Sequence, residues 1–131
     1  MKILIVDDDF VCRNLLQEIL KDYGSTHIAT DGKEAVAAVR AAIDSGEPYN
    51  LICLDILMPE MDGQQALQQI RDMEEAAGFT ASRGTMILMI TSLGDLKNLQ
   101  ASFDRHCDGY VIKPFTSAEV LDNLRRLKLI K

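Results

Sequence analysis

The feature that most constrains the fold is a short apolar run, Leu51-Ile52-Cys53-Leu54, that ends on a carboxylate, Asp55. The run lacks polar alternation and is too short for an ordinary buried helix. It therefore reads as a strand covered on both faces, as in a parallel sheet. A charge at the end of such a strand is tolerable where water or a ligand reaches it, at the rim of the sheet. In open α/β sheets the carboxyl ends of the strands are also where ligands bind. Asp55 is thus the first candidate for chemistry, and its partners must reach the same rim.

Ile3 to Val6 forms a second strand of the same type, and it too ends in acids, Asp7, Asp8 and Asp9. Leu15, Leu16, Ile19 and Leu20 then recur at helical spacing, with Gly24 as the stop. His27 to Ala29 is a short strand. Asp31 with Glu34 is a helix start, and Val36, Val39 and Ile43 stripe that helix until Gly46-Glu47-Pro48 ends it. After Asp55, Asp62 with Gln65 repeats the start signal ahead of Ala66, Ile70, Met73 and Ala77.

A polar stretch, Gly78 to Gly84, leads to a strand over Met86 to Ile90 and then to Thr91-Ser92. Asp95 caps a shorter helix with Leu96, Leu99 and Phe103 inward. Tyr110 to Ile112 is the fifth strand and ends in Lys113-Pro114. Thr116 with Glu119 opens a last helix carrying Val120, Leu124 and Leu127. Strands and helices alternating five times predict a doubly wound α/β fold, a (βα)5 parallel five-stranded sheet in one domain over residues 1–131.

The length suits one domain, and an apolar share of 47% supplies its core. No run approaches the ~20 apolar residues of a membrane span, and the start has no secretory signature. Cys12, Cys53 and Cys107 are odd in number and lack metal-type spacing, which suits reduced thiols in a cytoplasmic protein. A net charge of −6 argues against nucleic acid as a direct partner. Membrane insertion is not expected. Residues 114 to 131 are too few for an output domain.

All five strands run in one direction, so Asp7-Asp8, Asp55, Thr91 and Lys113 arrive at one crevice. Clustered carboxylates repel unless a cation joins them, and Mg2+ suits carboxylates, waters and a phosphate oxygen. A lysine, a hydroxyl and a metal around one carboxylate meet the needs of phosphoryl transfer, charge neutralisation and positioning. The carboxylate itself is a competent nucleophile. Singly, each residue has a plainer reading: a helix cap, a turn threonine, a solvated lysine. Jointly, at four of five strand ends, they point to a site.

The set Val6-Asp7-Asp8, Asp55 with Met58-Pro59-Glu60-Met61-Asp62-Gly63, Thr91-Ser92 and Lys113-Pro114-Phe115 resembles the receiver domain of bacterial response regulators, CheY-like in size. The resemblance spans the whole chain and implies the flavodoxin-like strand order 2-1-3-4-5. It implies that Asp55 accepts a phosphoryl group from a phosphohistidine on a sensor histidine kinase or phosphotransfer protein. Asp8, Asp55 and the main-chain carbonyl of Leu57 would ligate Mg2+, with Asp7 acting through water. Lys113 would pair with Asp55, Thr91 would contact the phosphoryl group, and Tyr110 would turn inward with Thr91. It also implies a cis Lys113-Pro114 bond. A downstream protein would dock on the face built from the fourth predicted helix, the fifth strand and the last helix. In this reading the chain is a signalling domain that assists its own phosphorylation and dephosphorylation, not an enzyme.

Leu57 and Leu93 depart from the polar residues that other receivers often carry there. Leucine cannot hold an attacking water, so slow loss of the phosphoryl group is expected. The rival reading is an enzyme. Asp7-x-Asp9-x-Val11 fits the DxDx[TV] signature of haloacid dehalogenase-type phosphohydrolases, in which Asp7 would be the nucleophile.

Overall fold

The computed structural model describes residues 1–56, 63–78, 84–92, 94 and 107–131, residue 64 through its backbone alone. Within them the order is β1 (Lys2–Val6), α1 (Phe10–Leu20), β2 (Ser25–Ala29), α2 (Gly32–Asp44), β3 (Leu51–Asp55), α3 (Gly63–Ala76), β4 (Met86–Thr91), β5 (Gly109–Ile112) and a helix here called α4 (Ser117–Arg126). The strands form one parallel sheet in the order β2-β1-β3-β4-β5. The predicted helix over Asp95 to Phe103, and the cap at Asp62, lie outside the described residues.

Period-two alternation sorts the strand residues into two cores. Leu4, Val6, Ile52, Leu54, Ile87 and Met89 face α2 and α3, where Ala35, Val39, Leu67 and Ile70 meet them. Ile3, Ile5, Leu51, Cys53, Leu88 and Ile90 face α1 and α4, against Leu16, Leu20, Val120 and Leu124. All five residues of β3 are buried. A central parallel strand must be apolar on both faces, which is what the unbroken run from Leu51 to Leu54 signals.

The helix starts follow their caps. Asp31 accepts from the amide of Glu34, and Thr116 from the amide of Glu119. Asp9 caps α1 by accepting from the amide of Val11 at 3.0 Å.

Four expectations change. Leu15 does not face in: it is 43% exposed, because the buried stripe of α1 runs through Cys12, Leu16 and Leu20 and leaves Leu15 on the flank. Gly24 does not stop α1, which ends four residues earlier at Leu20. It is needed because a Cβ there would stand 2.1 Å from the main-chain oxygen of Met1, the acceptor for the amide of Ser25. Ala77 falls just past the end of α3 and is exposed, and Leu127 is the C-cap of α4 rather than a residue of it.

Candidate functional site

The carboxyl ends of β1 and β3 are neighbours in the sheet, Val6 opposite Leu54. The residues that follow therefore converge. Asp7, Asp8 and Asp55 bring one carboxylate oxygen each to within 4.8 Å of one another. Asp7 is fully buried, Asp55 is 6% exposed, and Asp8 is exposed. Three hard oxygen donors at that spacing, one open to water, fit Mg2+ with waters completing its shell. Leu57, whose carbonyl the sequence reading adds to this set, lies outside the described residues, as does Leu93.

Lys113 crosses the crevice from the end of β5. Its Nζ lies 3.4 Å from Asp7 Oδ2 and 3.5 Å from Asp55 Oδ2. Half-burial works against the ammonium, but the charges of Asp55 and Asp7 outweigh it and hold its pKa above the ordinary lysine value. The lysine is charged at neutral pH and joins two carboxylates rather than Asp55 alone. The Lys113–Pro114 bond is cis, in line with the sequence reading.

Thr91 ends β4, one residue beyond Ile90, the register partner of Asp55. It is 2% exposed, and its hydroxyl donates to the carbonyl of Ser92 at 3.1 Å. Its own carbonyl accepts from the amide of Lys113 at 2.6 Å, so the two residues are tied through the backbone. Tyr110 lies on β5, where its side chain points outward, 47% exposed. The structure thus gathers Asp7, Asp8, Asp55 and Lys113 into one cluster, sets Thr91 on the adjoining strand end, and leaves Tyr110 outside.

Several neighbours were not legible as site residues. Gly63 has its amide on the carbonyl of Ile56 at 2.7 Å, and a Cβ there would stand 2.2 Å from the main-chain oxygen of Asp55. Only glycine lets α3 begin so close to the end of β3. Cys12 is buried against the acids: burial first, and then a hydrogen bond with Asp7, push its thiol well above the ordinary value. Arg13 donates from Nη1 to the main-chain carbonyl of Asp7 at 3.0 Å. Phe10, Val11 and Leu15 are exposed on α1, at 63%, 72% and 43%. The signal for them was helical phase, since Phe10 and Val11 miss the Cys12–Leu16–Leu20 stripe.

Among the described residues no helix is long and apolar enough to cross a membrane.

Comparison with known proteins agrees with this geometry. The family profile of the response regulator receiver domain matches residues 3–125. The chain is 33% identical over 121 residues to the chemotaxis protein CheY of Halobacterium salinarum, covering 92% of this chain and 91% of that protein. It is 34% identical over 127 residues to the transcriptional regulatory protein ResD of Bacillus subtilis, covering 96% of this chain. It spans about half the length of ResD and of several other curated relatives, 47% in each case. Among solved structures, the chemotaxis response regulator CheY4 of Vibrio cholerae superposes with a TM-score of 0.78 at 28% identity, over 96% of this chain and 97% of that one. The receiver domain of the sensor histidine kinase PA1611 from Pseudomonas aeruginosa, solved with a magnesium ion in its active-site cleft, gives 0.76 at 25% identity, over 95% and 94%. The fold is the CheY-like, flavodoxin-type one, and the chain belongs to the response regulator receiver domain family of two-component signalling.

Proposed function

We propose that Asp55 is the phosphoacceptor of this chain, receiving a phosphoryl group from a phosphohistidine on a sensor histidine kinase or phosphotransfer protein. The observation that carries this reading is the convergence of Asp7, Asp8 and Asp55 within 4.8 Å, with Lys113 reaching Asp7 and Asp55. Asp7 is the less accessible carboxylate, fully buried where Asp55 keeps a small exposure. That difference, together with the family, favours transfer to Asp55 over a phosphohydrolase reaction at Asp7.

In the transfer an Asp55 carboxylate oxygen supplies the electron pair of a new O–P bond, and the P–N bond of the donor breaks. That bond's electrons return to the imidazole, which leaves neutral because its other nitrogen already carries a proton. Asp7, Asp8 and Asp55 would hold Mg2+, which when bound offsets the charge on the phosphoryl oxygens. Lys113 supplies a second positive charge, and it exchanges a carboxylate partner for the phosphoryl oxygens once Asp55 has become an acyl phosphate. The Thr91 hydroxyl rotates away from the carbonyl of Ser92 to donate to the phosphoryl group. Tyr110 then moves inward over the space that Thr91 leaves.

The output face includes β5 and α4, while the fourth predicted helix assigned to it lies outside the described residues, and it offers a downstream protein two arrangements that phosphorylation populates differently. The domain extends over residues 1–131 and works in the cytoplasm. The domain acts as a signalling module that assists its own phosphorylation and dephosphorylation.

Incubation with acetyl phosphate and MgCl2, followed by peptide mapping of the modified aspartate, tests this reading. Label on Asp55 that disappears in Asp55→Asn is expected. Label on Asp7, or equal uptake by Asp55→Asn, overturns it.

A further inference from the structure

We propose that Arg13 is a positioning residue for the acid cluster: through the Asp7 carbonyl it sets the direction from which Asp8 reaches a bound cation. The inference deepens the cation-dependent reading above and rests on it.

Asp7 is held at every polar atom. Its amide donates to Ala29 at 3.1 Å, its Oδ1 accepts from the amide of Asp9 at 2.9 Å, and its Oδ2 accepts from Lys113 at 3.4 Å. The remaining group, the main-chain carbonyl, accepts from Arg13 Nη1 at 3.0 Å. Asp8 differs: its side chain is exposed, so its direction comes from the backbone that presents it. The carbonyl of Asp7 and the nitrogen and Cα of Asp8 belong to one rigid plane. A donor on that oxygen therefore restrains the plane that precedes the Asp8 Cα, and the Asp9 amide held by Asp7 Oδ1 restrains the plane that follows it; together the two limit the direction in which the Asp8 side chain leaves.

Arg13 is well placed to be that donor. It sits one turn into α1, whose start is anchored by the Asp9 cap. Its guanidinium is half-buried and lies 5.6 Å from the centroid of the Phe10 ring, which leaves it few alternative positions. Phe10 is 63% exposed and outside both core clusters, and its ring flanks Arg13. The plainer role, satisfying a carbonyl that would otherwise lack a partner, makes a different forecast. It lowers stability on mutation without a specific effect on cation binding.

The sign of one measurement separates the possibilities. By charge alone, removing an arginine beside three carboxylates strengthens cation binding. By positioning, it weakens binding, because the carboxylates no longer converge. Amide NMR titration with MgCl2 alone is made on the parent chain, Arg13→Ala, Arg13→Met and Arg13→Lys, with Arg40→Ala on the outer face of α2 as control. The expected result is on the order of tenfold weaker Mg2+ binding for Arg13→Ala and Arg13→Met. Arg13→Lys, which retains one donor, falls between them and the parent, and Arg40→Ala stays within about twofold. Without Mg2+, the Asp9 amide should exchange faster with solvent in the first two variants than in the parent. Arg13→Met retains an apolar stem over Phe10, so a folded variant is available if the alanine one is unstable. Equal or tighter Mg2+ binding in either folded variant overturns the inference alone. A parent chain that does not bind Mg2+ overturns the cation reading and this inference together.

Discussion

The two rims of the sheet both bury carboxylates, and they treat them in opposite ways. At the amino-terminal rim, Glu74 of α3 and Asp108 before β5 share Arg71, at 2.7 and 2.9 Å. Their other contacts are main-chain donors: Glu74 accepts from the amide of Thr85, and Asp108 from the amide of Ile87 at 2.8 Å. Arg71 also donates to the carbonyl of Thr85 at 2.8 Å. Short bonds from groups fixed by secondary structure hold these acids in place. At the carboxyl-terminal rim three carboxylates face one lysine, at 3.4 and 3.5 Å. One acid is open to water, and the negative charge exceeds the positive. A closed network suits a joint between α3, β4 and β5, whereas an open, under-neutralised one suits exchange of ligands.

If that contrast is right, mutation at the open rim removes function and spares the fold. The largest effect is expected from Asp55→Asn, which should abolish transfer from acetyl phosphate while circular dichroism and the melting profile stay close to the parent. A large loss of structure in that variant would make the carboxyl-terminal rim a structural joint as well, and the contrast would fail.

The closed rim should respond the other way. Glu74→Ala removes one partner of a largely buried pair and takes from the amide of Thr85 the carboxylate that accepts from it. Losses of that kind run to about 3 kcal/mol, and urea unfolding measures them. Labelling of Asp55 by acetyl phosphate should persist in the folded fraction at nearly the parent rate. Should Glu74→Ala cost less than Asp55→Asn in stability, the assignment of the two rims is reversed.

How much of this was legible in the sequence differs between the rims. At the carboxyl-terminal one the acids, Thr91 and Lys113 are legible, because each lies at or just past the end of a strand whose apolar run marks the position, whereas Cys12, Arg13 and Gly63 beside them are not. The amino-terminal one was missed. Arg71 and Glu74 occur on a helix as an ordinary (i, i+3) charged pair, and no local pattern tells a solvated pair from one that reaches across to Asp108, 37 residues away. Leu15 was misassigned for a related reason. A leucine adjacent to the buried stripe has the same composition signal as one within it, and only the packing of α1 on the sheet decides the phase. Gly24 and Gly63 look like turn residues, yet what they permit is close approach of backbone, which depends on segments distant in sequence.

The open rim can be probed further by its response to cation. At ten times its dissociation constant, Mg2+ should raise the parent's stability by about 1.4 kcal/mol, visible as a rise of a few degrees in the melting temperature. Asp8→Asn should abolish most of that rise. In buffer without divalent cations the same variant should be slightly more stable than the parent, by roughly 0.5 kcal/mol, since it removes a like charge at an exposed position. The two signs together identify repulsion relieved by a cation. A variant that is less stable in both buffers would instead make Asp8 a structural residue.

The smallest expected effect concerns strain rather than charge. Lys128, just past α4, has φ +62, the only positive value at a non-glycine position among the described residues. The turn around it is well bonded, with its amide on the carbonyl of Arg125 at 3.0 Å and the amide of Leu129 on Leu124 at 2.9 Å. Leu129 and Ile130 pack partly buried against the core, so burial of these two residues holds the backbone there. For a residue with a Cβ, the left-handed conformation costs about 1–2 kcal/mol. Glycine avoids that cost but loses roughly 0.5–1 kcal/mol through the greater freedom of the unfolded chain. The difference favours Lys128→Gly by about 0.5–1 kcal/mol, and the exposed lysine side chain contributes little to offset it. Thermal unfolding should show a rise of a few degrees, with acetyl phosphate labelling and the Mg2+ response unchanged. A fall in stability would mean that the bonds and apolar contacts around Lys128 do not hold the turn by themselves.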